Sequence, residues 1–367
     1  MRIAILADPL DNQRAGVHVY TREMIRALIE QAKGHELILI REREDPDLPI
    51  RQVCVPNVHL PIGFASLRLF FLIPIVVRRL GVDAVLEPAH FGPFNLPRRI
   101  RRITMIHDLT PILLPQYHRF HSQLLQRIFL KGILQKADLV LSNSHNTSSD
   151  LQKVYPFTEG KTCTIHLGRD ESYQPTSSRE FLDKEGIKEP YFLYVGTIEP
   201  RKNLSSLLKA YTAFRQANHS TVKLILTGQR GWKSEAFFQQ LEQHPFRKDI
   251  LLTGFIEKRF LPELYSHSLA LVYPSTYEGF GFPIVEAFSC GTNVICPDNS
   301  SLTEVGGLLA YFYPTGEVDR LQAHMQTVYA GGPEVTRRRE EALSWVQQFS
   351  WKTYAQRLLT ALEELIN

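Results

Sequence analysis

Ser275-Thr-Tyr-Glu-Gly-Phe-Gly-Phe-Pro-Ile-Val-Glu-Ala-Phe-Ser-Cys-Gly291 is the stretch whose reading decides the fold. It follows an apolar run, Leu269-Ala-Leu-Val-Tyr273, which predicts a buried strand of a parallel sheet. Glu278 leaves that strand, and the chain then passes through Gly279 and Gly281. Pro283 predicts a helix start, because its fixed φ and missing N–H suit the first helical position. Glu286 then falls in the first turn of that helix, eight positions after Glu278. Strand, glycine turn and helix in this order form the repeating unit of an open α/β sheet, and such sheets bind ligands at the carboxyl ends of their strands. Carboxylates accept hydrogen bonds from sugar and ribose hydroxyls, while backbone N–H groups at a helix start suit phosphate. The combination predicts a nucleotide-sugar site. An isolated pair of glutamates at this spacing also reads as two solvated loop residues. The Gly-x-Gly turn between a strand and a helix is what favours the functional reading.

Working outward, the same unit recurs along the whole chain. The N-terminal part predicts a strand at Ile3–Ala7, a polar turn containing Gly16, and a helix from about His18 to Ala32. Strands follow at Leu37–Ile40, Ala84–Leu86, Ile103–Ile106 and Leu139–Leu141, with a helix at Ser122–Lys136. After a polar stretch at 168–190 the pattern restarts with strand Tyr191–Val195, Gly196 and helix Leu204–Gln216. Strands Val222–Leu226, Ile250–Thr253, Leu269–Tyr273 and Asn293–Cys296 complete the second half, and an amphipathic helix at about 352–365 ends it. Strands alternating with helices indicate parallel sheets. The expected class is therefore α/β, with two tandem Rossmann-like, doubly wound domains whose strand ends face a cleft. The expected divisions are 1–170, 171–350 and a last helix at 351–367 that returns to the first domain.

Composition agrees. A chain of 367 residues exceeds one typical core. Hydrophobic content of 44% and charged content of 22% describe an ordinary globular protein. A net charge of +4 is too weak to imply nucleic acid. Cys54, Cys163, Cys290 and Cys296 show neither metal-ligand spacing nor a disulfide framework, so a reduced, cytoplasmic setting is expected. Met1-Arg-Ile-Ala-Ile-Leu-Ala-Asp8 reads as a strand rather than a signal peptide. The apolar run Leu69 to Val77, broken by Pro74, is far shorter than the ~20 residues that span a bilayer.

Further side chains could carry chemistry. Glu199-Pro-Arg-Lys-Asn203 sits just after strand 191–195, so Arg201 and Lys202 reach the end of the sheet where an anion binds. They can neutralise a departing pyrophosphate, which stabilises charge developed in the transition state. His107-Asp108 closes strand 103–106, where His107 reads as a general acid or base, or as a hydrogen-bonded structural residue. Gly16 permits close approach of the backbone to a ligand, or is simply a turn glycine.

Ala15-Gly-Val-His-Val-Tyr20, His107-Asp108, Glu199-Pro-Arg-Lys-Asn203, Gly254-Phe255 and the 275–291 segment together resemble, in order and over essentially the whole chain, family 4 glycosyltransferases. The resemblance implies a GT-B fold and transfer of a hexose from a nucleotide-diphosphate sugar with retention at the anomeric carbon. It implies front-face attack by the acceptor and no metal or other cofactor. Arg201 and Lys202 resemble the diphosphate ligands and Glu286 the ribose clamp. Glu278, with the backbone of Gly279, Phe280, Gly281 and Phe282, resembles the holder of the donor sugar. Gly16 is expected near the phosphates, His107 near the transferred sugar, and Ser301 to Glu304 near the nucleotide. Asn293 and Leu308 depart from the family pattern, which often has Pro and an acidic residue there. The donor base and sugar stay open between UDP-glucose and GDP-mannose, and the acceptor is expected to be a glycan or a lipid-linked sugar.

Other patterns fit less well. Gly279-Phe-Gly-Phe-Pro-Ile284 lacks the third glycine of a dinucleotide fingerprint, which argues against a nicotinamide-dependent oxidoreductase. Gly231-Trp-Lys-Ser234 lacks the adjacent Gly-Lys of a P-loop. Asp45-Pro-Asp47 has the D-x-D spacing of a metal site, but chance explains it better in an acidic loop far from the other motifs. An inactive sugar-binding scaffold remains as the non-enzyme reading, disfavoured because every motif is present. Arg98, Arg99, Arg101 and Arg102, with Arg68, Arg78 and Arg79 flanking the apolar run, predict weak peripheral contact with an anionic membrane, or a solvated basic face.

Overall fold

The computed structural model describes residues 1–12, 16–56, 68–89, 95–118 and 120–366. The chain forms two compact units, one of Met1–Gly168 with Ser350–Asn367, the other of Arg169–Phe349. The first holds a parallel sheet of β1 (Arg2–Leu6), β2 (Glu36–Arg41), β3 (Arg51–Cys54), β4 (Ala84–Glu87), β5 (Arg101–Ile106), β6 (Leu139–Ser142) and β7 (Thr162–Thr164) in the order β3-β2-β1-β4-β5-β6-β7. The second holds β8 (Tyr191–Val195), β9 (Lys223–Thr227), β10 (Ile250–Gly254), β11 (Ala270–Val272), β12 (Asn293–Pro297) and β13 (Tyr311–Tyr313) in the order β10-β9-β8-β11-β12-β13. Strand order reverses between β1 and β4 in one sheet and between β8 and β11 in the other. At such points neighbouring loops leave in opposite directions and open a crevice at the carboxyl ends.

The central strands are apolar on both faces because helices cover both sides. Ile3, Ala4, Ile5, Ala84, Val85 and Leu86 are buried in the first sheet, and Phe192, Leu193, Leu224, Ile225, Ala270 and Leu271 in the second. Three strands were not marked in the sequence, β3, β7 and β13, and all three lie at sheet edges. The C-terminal helix Trp351–Ile366 belongs to the first unit and packs along the helix Gly16–Gln31, burying Tyr354, Leu358 and Leu362. Its entry depends on Gly168, where a Cβ would lie 2.3 Å from Trp351 N.

Candidate functional site

The motif Glu199–Asn203 folds as its residue types dictate. Glu199 is extended, Pro200 opens a short 3₁₀ turn through Lys202, and Asn203 takes the left-handed conformation (φ 51°) that asparagine tolerates. The helix Leu204–Asn218 starts there, with Ser206 Oγ donating to Asn203 Oδ1 at 2.8 Å. This holds Arg201 and Lys202 at the carboxyl end of β8. The loop leaving β11 arrives beside them, with Thr276 N donating to Arg201 O at 2.9 Å.

Glu278 binds both cations. Its Oε2 lies 3.0 Å from Arg201 Nη1, and its Oε1 accepts from Lys202 Nζ and, at 3.0 Å, from the Tyr273 hydroxyl. Lys202 Nζ also donates to the Tyr273 hydroxyl at 2.6 Å, and Arg201 Nη2 to Glu199 Oε1 at 2.8 Å. Glu199, Lys202 and Glu278 are all buried. Burial is the largest influence on Glu278 and pushes its pKa up, but Arg201 and Lys202 together outweigh it and hold the carboxyl at about 2. Burial lowers the Lys202 pKa against the pull of Glu278, and raises that of Glu199 against the pull of Arg201. Two cations and two carboxylates thus form one compensated cluster at the switch point of the second sheet. Gly281 (φ 108°) turns the chain into the helix Phe282–Ser289, a conformation favouring glycine. Ser301 Oγ clamps that turn by donating to Glu278 O and Phe280 O at 2.9 and 2.8 Å.

The sequence places Glu286 in the first turn of this helix, but the structure does not. The helix begins at Phe282 with Pro283 as its second residue, so Glu286 stands one turn further in, beyond the reach of the helix N-terminus. Its Oε2 accepts a 2.7 Å hydrogen bond from the Tyr265 hydroxyl. Burial raises its pKa to about 7, opposed by the bond from Tyr265 and reinforced by Asp170. The ring of Tyr173 stands 6.0 Å from that of Tyr265. The nearby Lys258 is ion-paired with Asp170.

In the first unit, His107 follows β5 and its Nε2 lies 2.8 Å from Pro88 O, beyond the end of β4. A carbonyl only accepts, so Nε2 carries the proton and Nδ1 of the neutral ring is the acceptor. Burial lowers the His107 pKa, with Pro88 opposing, which favours that neutral ring. Tyr20 packs edge-on against His107 at 4.8 Å and shares a 2.6 Å hydroxyl–hydroxyl bond with Tyr354 of the C-terminal helix. Asp108 is a turn residue here, its Oδ1 accepting from Thr110 N and Oγ1 at 2.9 and 2.6 Å. Gly16 is the first residue of the helix Gly16–Gln31, with open space where a Cβ would lie. Asp45 is engaged by Arg41 and by the N–H of Asp47.

Arg201, Lys202 and Glu278 therefore meet directly, while Glu286 stands in a separate tyrosine-lined setting. Tyr273, Tyr265, Tyr173, Tyr20 and Tyr354 were not singled out in the sequence. The first of them sits at a strand's carboxyl end, which was the available signal; the others are brought in by tertiary packing from distant elements.

Residues 177–345 match the glycosyl transferases group 1 model, and residues 14–173 the glycosyltransferase family 4 model. O-antigen chain mannosyltransferase B of Escherichia coli is 32% identical over 282 residues, covering 75% of this chain and 74% of that one. Sucrose-phosphate synthase from Thermosynechococcus elongatus has a similar structure over 100% of this chain and 99% of its own, with TM-score 0.76 and 20% identity. HepE from Anabaena, solved in complex with UDP and glucose, gives TM-score 0.75 at 18% identity over 99% and 100% of the two chains. At these identities the two structures speak for the fold alone. With the fold, the switch-point cluster and this relative taken together, the chain is a GT-B glycosyltransferase of group 1, family 4.

Proposed function

We propose that the chain transfers a hexose from a nucleotide-diphosphate sugar to a glycan or lipid-linked sugar in polysaccharide synthesis, with retention and without a metal. The Arg201–Lys202–Glu278 cluster carries this reading. In the donor complex the diphosphate takes the two cations, and Glu278 turns to the sugar hydroxyls beside the backbone of Gly279 to Phe282. Glu286 holds the ribose. As the bond to the anomeric carbon breaks, negative charge grows on the diphosphate between Arg201 and Lys202, where a fixed cation pair acts most strongly. His107, a neutral ring with Nδ1 as acceptor, is assigned to a hydroxyl of the transferred sugar. GDP-mannose is the preferred donor, because the relative at 32% identity is a mannosyltransferase; UDP-glucose is the alternative.

The test is a thermal-shift screen against GDP, UDP and their hexose derivatives, followed by transfer assays with and without EDTA. Donor at a hundredfold over its dissociation constant stabilises by ~2.7 kcal/mol. The proposal expects this with GDP-mannose, an α-linked product, and activity that survives chelation. Loss on chelation with recovery on adding Mn²⁺ would contradict the metal-free mechanism, and silence toward every nucleotide sugar would contradict the proposal as a whole.

A further inference from the structure

Among the described residues, ten large apolar side chains are conspicuously exposed, and five of them, Phe71, Leu72, Ile75, Leu124 and Ile128, lie on just two segments. One is the π-helical turn Arg68–Leu72 running into the helix Ile73–Leu80; the other is the helix Phe120–Lys136. Right-handed crossovers place both on the same face of the first sheet, because β3→β4 and β5→β6 advance in the same direction across it while β1→β2 runs the other way. The rings of Phe70 and Phe129, 6.1 Å apart, join the two segments. Phe71 with Ile75, and Leu124 with Ile128, are spaced four apart, so each pair forms an outward stripe. Arg78 and Arg79 extend the first stripe and Lys131 the second, all exposed.

An open groove of about 990 Å³ lies beside this surface, lined by Phe71, Ile75, Arg78, Arg98, Arg101 and Asp138 among others. Neither helical segment, nor 95–102, contains a single Asp or Glu. Not all the arginines expected at this surface belong to it. Arg102 is buried and paired with Glu87 at 3.0 Å, and Arg68 is buried and paired with Asp8. Arg101 is held by Asp138 at 3.1 Å. Arg98 and Arg99 are exposed.

We infer that this face docks on an anionic phospholipid bilayer. Single exposed apolar residues are ordinary, but a clustered set rimmed by one sign of charge marks an interaction surface. Apolar side chains on a cationic surface, whose lining carboxylate Asp138 is paired with Arg101, match the acyl boundary and the phosphates of an anionic leaflet together. The contact is peripheral, since no helix of the described residues is long and apolar enough to cross a membrane. Arg98 and Arg101 lie at the amino end of β5, whereas His107 follows its carboxyl end, a strand of six residues away, or ~20 Å. The basic rim is therefore an anchoring surface, separate from the sugar-transfer site.

Sedimentation of the full chain with vesicles of equal parts phosphatidylglycerol and phosphatidylcholine, against phosphatidylcholine alone, tests this without any donor, so it succeeds or fails independently of the proposed reaction. Binding is expected on the anionic vesicles only, and high salt should weaken it. Changing Arg98→Gln with Arg99→Gln should lower partitioning roughly 25-fold, about fivefold for each basic residue near the surface. Phe71→Ser with Ile75→Ser should lower it at least about tenfold. Thermal midpoints and donor hydrolysis should stay at wild-type values in both variants. Equal binding to neutral vesicles, or variants that bind like the wild type, overturns the inference. So does a concentration-dependent dimer that the serine variant dissociates in a chain that ignores vesicles, which would assign the face to a second copy.

Discussion

Glu278 and Glu286 sit eight residues apart on one turn-and-helix segment, yet their surroundings move their pKa values in opposite directions. Burial pushes both pKa values up. Glu278 meets two cations and is held at about 2, while Glu286 meets tyrosine hydroxyls and rises to about 7. The lesson is that neighbours, and not the spacing of the pair, divide the labour. One glutamate is an anion at neutral pH, ion-paired with Arg201 and Lys202. The other is a titrating group poised near neutrality.

The contrast is most severely tested at the cations. Arg201→Ala or Lys202→Ala should each cost ~3–4 kcal/mol of transition-state stabilisation, seen mainly in kcat, the scale of losing one preorganised donor. Near-normal turnover in both would remove the cluster from the reaction. Next in size, Glu286→Ala should weaken free nucleotide and nucleotide sugar alike by ~1.5–3 kcal/mol, since a charge-assisted ribose contact forms in both. Calorimetry that finds the loss only with the sugar-bearing ligand would reverse the assignment.

The titration of Glu286 sharpens the comparison further. Its folded pKa lies above its unfolded one, so its contribution to stability is present below the unfolded value and lost as pH rises through about 7. Glu286→Gln should therefore leave the thermal midpoint unchanged at acid pH and raise it above pH ~7. The groups facing Glu286 are Tyr265, Tyr173, Asp170, Lys258 and Cys290, and burial holds Cys290 up at about 12, so it stays neutral throughout. Nucleotide affinity of the wild type should rise over the same interval, as the carboxylate that accepts ribose hydroxyls forms. A pH-independent difference in midpoint would contradict this. The smallest effect is expected from Tyr265→Phe, which removes one hydrogen bond and should cost about 1 kcal/mol in nucleotide affinity while moving that pH dependence upward.

Much of this was legible in the residues. Central strands announce themselves as uninterrupted apolar runs, and Tyr191–Val195 was placed to the residue. The strands that escaped are short edge strands: Arg51–Cys54 and Thr162–Thr164 carry no such run, and Tyr311–Tyr313 is three residues at the end of the apolar stretch Leu308–Tyr313. Arg201, Lys202 and Glu278 were visible because each stands at a strand-to-helix turn, and Glu286 because it lies on the helix that follows one. Their partners were not, since Tyr265 reaches Glu286 from a different helix and Tyr354 reaches Tyr20 across 334 positions of sequence. Arg68 and Arg102 read as surface cations because composition does not reveal Asp8 and Glu87 inside the fold.

The central claim is that Glu278 is the internal counter-charge of the diphosphate site and becomes the sugar ligand once donor binds. Titration calorimetry of GDP and GDP-mannose against the wild type and Glu278→Gln tests it most directly. The claim predicts that Glu278→Gln binds GDP at least as tightly as the wild type, because a competitor for Arg201 and Lys202 has been weakened. It also predicts that the variant loses the extra affinity contributed by the mannosyl group. Equal losses for the two ligands, or an unchanged mannosyl increment, would contradict it.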